Sequence, residues 1–475
     1  MTSIALLNAL FNRRRLSGVK PRFSIVSTRE DGLCMRLTTI LDAMLIAKAM
    51  RVDFAYHWDE TEQPALDQQT TESLAAVFDA KFRRYRLTGL PDPGLPTLDK
   101  PLPDATSVAS MRARGEAAGQ LLLHRPYDLA SRFGGLGPIP PDGYAKAFDS
   151  IGFAAPTRKA ITAARSVPIP ENAAVIHLRG GDILHGTHSY HGMYLHKAPS
   201  IAEIDTTIQT LRREGKTVWL IGQERDVQAA MVARHPGTQA FGLTHPTPAA
   251  PSSVEAVLFD SVFMSRMPHI FGGNSGVTDL ARRLGRPRFT QIGRSLSTDF
   301  DDLDLHDDVF GKVSTNAKAH VYSKVVIATP PDRCTHRHLE LIEASRRFRP
   351  KNAFLQLIEA CVIARVIGAA PGEQAARALL AAPPLEPGIT PDMGFSFLMG
   401  GIEYFPLTVV AHLNPKVGPA TALLFAVGKA LKDPAHRPQA LEALSQAEAV
   451  PAPAAILPAL RDRLLFCLNG QVGNL

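Results

Sequence analysis

Regular patterning begins at Phe23-Ser24-Ile25-Val26-Ser27, an apolar run of strand length, followed by a turn at Asp31-Gly32. Apolar positions then recur at Leu37, Ile40, Leu41, Met44, Leu45 and Ala47. Spacings of three and four put these side chains on one helical face. A second strand is predicted from Val52 to Trp58, completing a strand–turn–helix–strand unit of the kind that builds parallel sheets. From Thr61 to about Ser166 the period weakens, and loops such as Pro91-Asp92-Pro93 and Pro138 to Pro141 interrupt short helical patterns. The pattern alone assigns no order to this stretch. Val167-Pro168-Ile169-Pro170 reads as a linker, which places a boundary between an N-terminal domain at 21–166 and a second at 172–300.

The second domain alternates more clearly. Strands are predicted at Ala173 to Leu178, Val218 to Ile221, near Phe241 and at His269-Ile270-Phe271. Between them lie helices marked by Ile201, Ile204, Ile208 and Leu211, then by residues 224–234, 253–266 and 275–284. Such alternation indicates a doubly wound α/β sheet, with ligands expected outside the carboxyl ends of the strands. After the acidic run Asp301-Asp302-Leu303-Asp304 the character changes to alanine-rich helical patterns, as at 353–367 and 420–431. Residues 320–475 therefore read as an all-helical appendage, with prolines between helices but no fixed repeat period.

A chain of 475 residues with 45% hydrophobic and 20% charged positions is an ordinary globular protein of several domains, neither disordered nor fibrous. The net charge of +7 is partly local, concentrated at Arg13-Arg14-Arg15 and at Arg282, Arg283, Arg286 and Arg288. That distribution suits a phosphate-bearing small ligand better than a nucleic-acid groove, so no nucleic-acid partner is expected. Cys34, Cys334, Cys361 and Cys467 form neither a metal-binding nor a disulfide spacing, which points to a reducing compartment. The apolar stretch 4–11 is too short to span a bilayer and precedes its basic residues, the reverse of a signal peptide. A cytoplasmic location is expected, with residues 3–20 offering either a basic amphipathic helix for peripheral membrane contact or a frayed terminus.

Two strand ends carry anion-binding chemistry. In Ile176-His177-Leu178-Arg179-Gly180-Gly181-Asp182, an apolar strand stops at a guanidinium that can fork onto phosphate oxygens, beside glycines that admit a ligand to the backbone. The plainer alternative is a surface arginine paired with Asp182. In Gly272-Gly273-Asn274-Ser275-Gly276-Val277-Thr278-Asp279, successive amides open a helix whose dipole favours negative charge. The plainer alternative there is a capped helix start with Asn274 or Ser275 as N-cap. Neither segment is a Walker loop or a G-x-G-x-x-G fingerprint. Both fall at strand carboxyl ends of one expected sheet, where a diphosphate can be clamped between them.

His177-Leu178-Arg179-Gly180-Gly181-Asp182 resembles the H-x-R-x-x-D motif of the GT-B fucosyltransferase superfamily, which includes alpha-1,2-, alpha-1,6- and protein O-fucosyltransferases. The blocks 260–264, 268–275 and 280–281 resemble its second donor-side block, and Gly32-Leu33-Cys34-Met35-Arg36-Leu37 resembles its glycine-rich N-terminal motif. The resemblance implies a GT-B-like fold of two facing Rossmann-type domains, here followed by the helical region, and a GDP-sugar donor, most often GDP-fucose. It implies that Arg179 holds the beta-phosphate, that His177 and Asp260 sit by the guanine or its ribose, and that Asn274, Ser275 and Gly276 donate to phosphate. Gly32 and Arg36 would face the donor across the cleft. The reaction so implied is metal-independent, inverting transfer to a glycan or protein hydroxyl. The chain departs from the family at Gly180, where many relatives carry a second arginine, and at Cys34-Met35.

No general base stands out. Asp182 and His185 are candidates, with His188 and His191 nearby, because neutral imidazole has a suitable pKa. The three histidines are broken by glycine and serine and lack a fourth ligand, so no zinc site is expected. Asp302-Leu303-Asp304 matches the D-x-D pattern of metal-dependent transferases but lies in an acidic run that reads as a solvated loop. The rival readings are a transferase with another nucleotide-sugar donor and a non-catalytic helical-repeat adaptor on a degenerate Rossmann scaffold.

Overall fold

The computed structural model describes residues 23–29, 32–58, 73–89, 91–92, 94–98, 108–126, 139–184, 197–241, 253–292, 313–329, 333–348, 352–381, 415–416, 418–432 and 434–448. The segment 3–20, the histidines His185, His188 and His191, the D-x-D carboxylates Asp302 and Asp304, and the Asp182 side chain lie outside the described residues.

Strand β1 (Ser24–Ser27), helix α1 (Leu33–Met50) and strand β2 (Asp53–Tyr56) form the expected first unit, with β1 and β2 parallel. The weakly patterned stretch holds a third strand that the sequence pattern does not reveal. Helix α2 (Val108–Ala118) leads into β3 (Gln120–Leu123), which pairs parallel with β1 on its other side and gives the order β2-β1-β3. β1 and β2 are equally short, but each flanks the periodic helix α1, whereas β3 follows the proline-interrupted stretch. Helices α3 (Gly143–Asp149) and α4 (Ala155–Ser166) follow; Pro156 stands in the first turn of α4, where a missing N–H breaks no helical bond.

The second sheet is built from β4 (Ala173–Leu178), α5 (Ile201–Arg213), β5 (Thr217–Gly222), α6 (Arg225–Arg234), β6 (Gln239–Ala240), α7 (Val254–Ser265), β7 (His269–Gly272), α8 (Gly276–Gly285) and β8 (Arg288–Gln291). Its five strands are all parallel in the order β6-β5-β4-β7-β8. The alternation expected from the sequence is present, and β8 adds a strand where Arg286 and Arg288 read only as charge. The winding direction reverses at β4. The crevice outside the carboxyl ends of β4 and β7 is therefore the topological switch point, the place where open α/β sheets bind ligands.

One continuous core joins both sheets. It contains Ile25, Phe54 and Tyr56 of the first sheet, Leu37, Ile40 and Leu41 of α1, Val175, Trp219 and Ile270 of the second sheet, and Phe259 and Phe263 of α7. The opposite face of the second sheet, Ala174, Ile176, Leu178, Val218 and Leu220, packs on α5 and α6. That same cluster contains Val313, Ala317, Val321 and Ile358 of the helical region, which comprises α9 (Thr315–Ala328), α10 (His336–Phe348), α11 (Ala353–Val366), α12 (Ala369–Ala381), α13 (Pro419–Lys432) and α14 (Arg437–Glu448). The fold is thus α/β, with two parallel sheets and a helical C-terminal region. The helical region expected from the sequence is present, and α9 joins the core on this face by packing against α5.

Candidate active site at the sheet switch point

Every residue of β4 is buried, as expected for a central parallel strand. His177, near its end, is 4% exposed, and its Nδ1 has no hydrogen-bond partner. Burial, helped by the positive charge of Arg179, holds the imidazole down to about 3. At neutral pH it is uncharged and offers a neutral ring to a ligand. Gly180 then allows close packing: a Cβ there would lie 1.4 Å from Oε1 of Glu224, a carboxylate 6% exposed at the start of α6. A larger side chain at this position would require the Glu224 side chain to move.

The turn after β7 is equally constrained. A Cβ on Gly273 would lie 1.6 Å from the carbonyl oxygen of Lys197. Ser275 is the N-cap of α8 in a reciprocal box, with Thr278 N–H donating to Ser275 Oγ at 3.2 Å and Ser275 N–H donating to Thr278 Oγ1 at 3.0 Å. The capped helix start is therefore real, and it occupies two of the groups expected to face phosphate. Asn274 is exposed just before it.

Against this turn stands the start of α1. A Cβ on Gly276 would lie 3.0 Å from Met35 Cγ and 3.3 Å from Cys34 Cβ, so the first turns of α1 and α8 abut. The α1 start has Gly32 as N-cap with no side-chain cap, no acidic residue in its first turn, and Arg36 buried at 3% exposure with its guanidinium 5.0 Å over the Trp58 ring. A cation in the first turn of a helix opposes the macrodipole, and an anion there would relieve both. Cys34 Sγ lies 3.7 Å from Ser261 Oγ of α7. Burial pushes its thiol up to about 12; the Ser261 hydrogen bond and Arg179 pull down, and Asp260 and Asp279 push up. Arg179, Asp260 and Asp279 are thus all within electrostatic reach of one point at the head of α1. Burial also raises the Asp260 carboxyl well above the ordinary carboxylate range.

The structure brings Gly32, Arg36, Arg179, Ser275 and Gly276 at the ends of α1, β4 and α8, with His177 near the end of β4, together with Asp260 in the middle of α7. Sequence reasoning missed what braces them. Asp42 of α1, fully buried, accepts from Tyr144 Oη at 2.7 Å and from Arg283 Nη1 of α8 at 3.1 Å, while Arg283 Nε donates to Asp279 at 3.0 Å. Arg283 had signalled itself only as part of a basic cluster. Arg179 also borders a recess lined by Leu184, Pro199, Glu224, Val227 and His320, which the residues of the 273–277 turn do not line. Among the described residues no group of three or more potential metal ligands occurs, and no helix is long and apolar enough to cross a membrane.

No protein-family model matches the chain, and no curated protein matches it. Among solved structures it is similar to NodZ alpha-1,6-fucosyltransferase soaked with GDP-fucose, with 15% identity over 56% of this chain and 93% of that one and a TM-score of 0.33. Fucosyltransferase NodZ from Bradyrhizobium matches with 16% identity over 56% and 93% and a TM-score of 0.34. POFUT1 in complex with GDP-fucose matches with 11% identity over 58% and 100% and a TM-score of 0.34.

Proposed function

We propose that the protein is a glycosyltransferase that moves a sugar, with fucose the expected one, from a GDP-sugar to a glycan or protein hydroxyl, with inversion and without a metal. One observation carries the reading: the starts of α1 and α8 abut beside the charge of Arg179 at the switch point of the second sheet. Departure of a nucleoside diphosphate builds negative charge on its beta-phosphate. Amides and a guanidinium fixed in advance around that phosphate lower the barrier without reorganising. Arg179 would take the beta-phosphate, Asn274 and the amide of Gly276 the remaining oxygens, and Gly32 and Arg36 the opposite side. The neutral His177 ring and the Asp260 carboxyl suit a purine or ribose edge, which presents both donors and acceptors. The motif resemblance supports GDP over other nucleotides.

Thermal shift with GDP, UDP and ADP tests the donor. A ligand that binds only the folded chain stabilises it by about 2.7 kcal/mol at a hundred times its Kd, so GDP should raise the midpoint and UDP and ADP should not. Arg179→Ala should weaken GDP by roughly 10- to 100-fold, the range for losing a charge-assisted hydrogen bond of about 1.5–3 kcal/mol. A larger shift with UDP would move the donor to another nucleotide sugar. No shift with any nucleotide, and none lost on Arg179→Ala, would leave a non-catalytic adaptor as the better account.

A further inference from the structure

The first sheet has a switch point of its own. The chain runs from β1 to β2 on one side and then to β3 on the other, so the carboxyl ends of β1 and β3 form a second crevice of the ligand-binding kind. Side chains alternate across this sheet. Phe54 and Tyr56 of β2, with Trp58 beyond, belong to the large core, whereas Ala55 packs with Val26 and Leu122 in a small separate cluster on the opposite face. The next residues on that opposite face are His57, Thr28 and His124. The ladder continues through them, His57 N–H donating to Ser27 O at 2.7 Å and Thr28 N–H to Leu123 O at 2.9 Å. Thr28 Oγ1 is hydrogen-bonded to His124 Nδ1. Two imidazoles and a hydroxyl thus stand in one row at the ligand end of a parallel sheet.

His57 is the anomaly in that row. Both ring nitrogens, Nδ1 and Nε2, are sealed from solvent and neither has a hydrogen-bond partner. Leaving a buried polar atom unsatisfied is costly, and this ring has two. A neutral imidazole carries one donor and one acceptor, and a hydroxyl group satisfies both kinds. Along the chain the next residue, Trp58, lies on the other face of the strand under the guanidinium of Arg36, whose helix start abuts Gly276.

We propose that the row His57, Thr28 and His124 binds the hydroxyl-bearing acceptor, a sugar or other polyol, and that His57 takes the proton of the attacking hydroxyl. This rests on the glycosyl-transfer reading above and supplies the base that the sequence left open among Asp182 and the nearby histidines. The step balances without a further reactant. The acceptor oxygen bonds to the anomeric carbon, the bond from that carbon to the diphosphate breaks with its electron pair leaving on the diphosphate, and the hydroxyl proton passes to the free ring nitrogen of His57. The charged and titratable groups on the surrounding elements are His124 and Arg125 after β3, Arg29 after β1 and Arg86 beside β2, with Arg36 of α1, Asp79 and Arg83 toward the other face.

The test uses the whole chain, GDP-fucose as donor, and methyl glycosides of galactose, glucose and mannose as acceptor probes. In ¹³C-histidine-labelled protein, the resonance lost in His57→Gln identifies His57. A glycoside acceptor should move that resonance in the wild type without donor present. His57→Gln should keep GDP binding within about threefold while transfer falls roughly 10²- to 10⁴-fold, the usual contribution of a general base. Thr28→Val, which leaves the imidazole in place, should raise KM for the glycoside with kcat and its pH profile preserved, and it serves if His57→Gln does not fold. Unchanged transfer in a folded His57→Gln that still binds GDP overturns the proposal and leaves the donor reading standing. A His57 resonance indifferent to every glycoside overturns it too, making the occupant a structural water. Failure of wild-type protein to bind GDP or use GDP-fucose removes the underlying reading instead.

Discussion

Two buried side chains at the proposed phosphate site behave in ways their residue types alone would not announce. Cys34 resembles a candidate nucleophile at a helix start, where thiols are usually acidified, but burial pushes it up to about 12 and keeps it a thiol at pH 8. Iodoacetamide at pH 8 should therefore modify Cys34 roughly a thousandfold more slowly in the folded chain than in urea, as peptide mass spectrometry would read. His177 is held down to about 3. Its folded pKa lies below the unfolded value, so between pH 6.5 and about 3 the unfolded chain binds a proton that the folded chain refuses. Stability must then fall as pH falls through that window, by up to about 1.4 kcal/mol per unit. Urea unfolding at pH 7, 6, 5 and 4 should show that slope, and His177→Leu should flatten it. The types and order of these residues were readable from the sequence because each ends a strand or begins a helix. The contact of Cys34 with Ser261, 227 positions away, was not, since no local pattern encodes which helix start meets which helix side.

At the scale of elements, legibility followed context more than length. The eighteen residues of α1 and the six of β4 repeat their pattern long enough to be recognised, and the four-residue strands β1, β2 and β7 were read as apolar runs beside periodic helices. By contrast β3 and β8, of the same length, lie beside weakly patterned or charged sequence and acquire identity only by pairing beside β1 and β7. How α1 and α8 are held together was also invisible, because it is done by charges inside the protein. Asp42 has no exposed side-chain surface, and Arg283 has 15%. Carboxylate and hydrogen-bonded partners together raise the Arg283 pKa above its already high value. Removing one member of such a pair leaves the other buried and unpaired. Asp42→Ala should cost about 3–5 kcal/mol, and Tyr144→Phe, which removes only the bridging hydroxyl, nearer 1 kcal/mol. Urea unfolding measures both. If the brace positions the phosphate site, Tyr144→Phe should also weaken GDP binding several-fold although Tyr144 is not among the residues assigned to the nucleotide.

For the molecule as a whole, the helical region is structural partner to the second sheet, and its charges reach the backbone behind the glycine turn. Lys324 of α9, 3% exposed, donates from Nζ to Ala198 O at 2.9 Å and to Glu203 Oε2 at 2.7 Å, and His320 Nε2 donates to the same carbonyl at 2.9 Å. The adjacent carbonyl, Lys197 O, is the one pressed against Gly273. A chain ending before residue 313 would bare the apolar sheet face that Ala317, Val321 and Val325 help to cover and leave Glu203 buried without its cation. It should not survive as a smaller donor-binding domain: circular dichroism should show no cooperative unfolding transition, and the product should aggregate. Lys324→Met isolates the electrostatic part. Alone it should destabilise by about 3–5 kcal/mol, because a buried carboxylate is left uncompensated. Combined with Glu203→Gln, which removes that charge, much of the loss should return, and the coupling energy from the double-mutant cycle measures how firmly the helices hold the loop behind the phosphate site. Additive losses, or a truncated chain that still unfolds cooperatively and binds GDP, would show that the helical region and the site are independent.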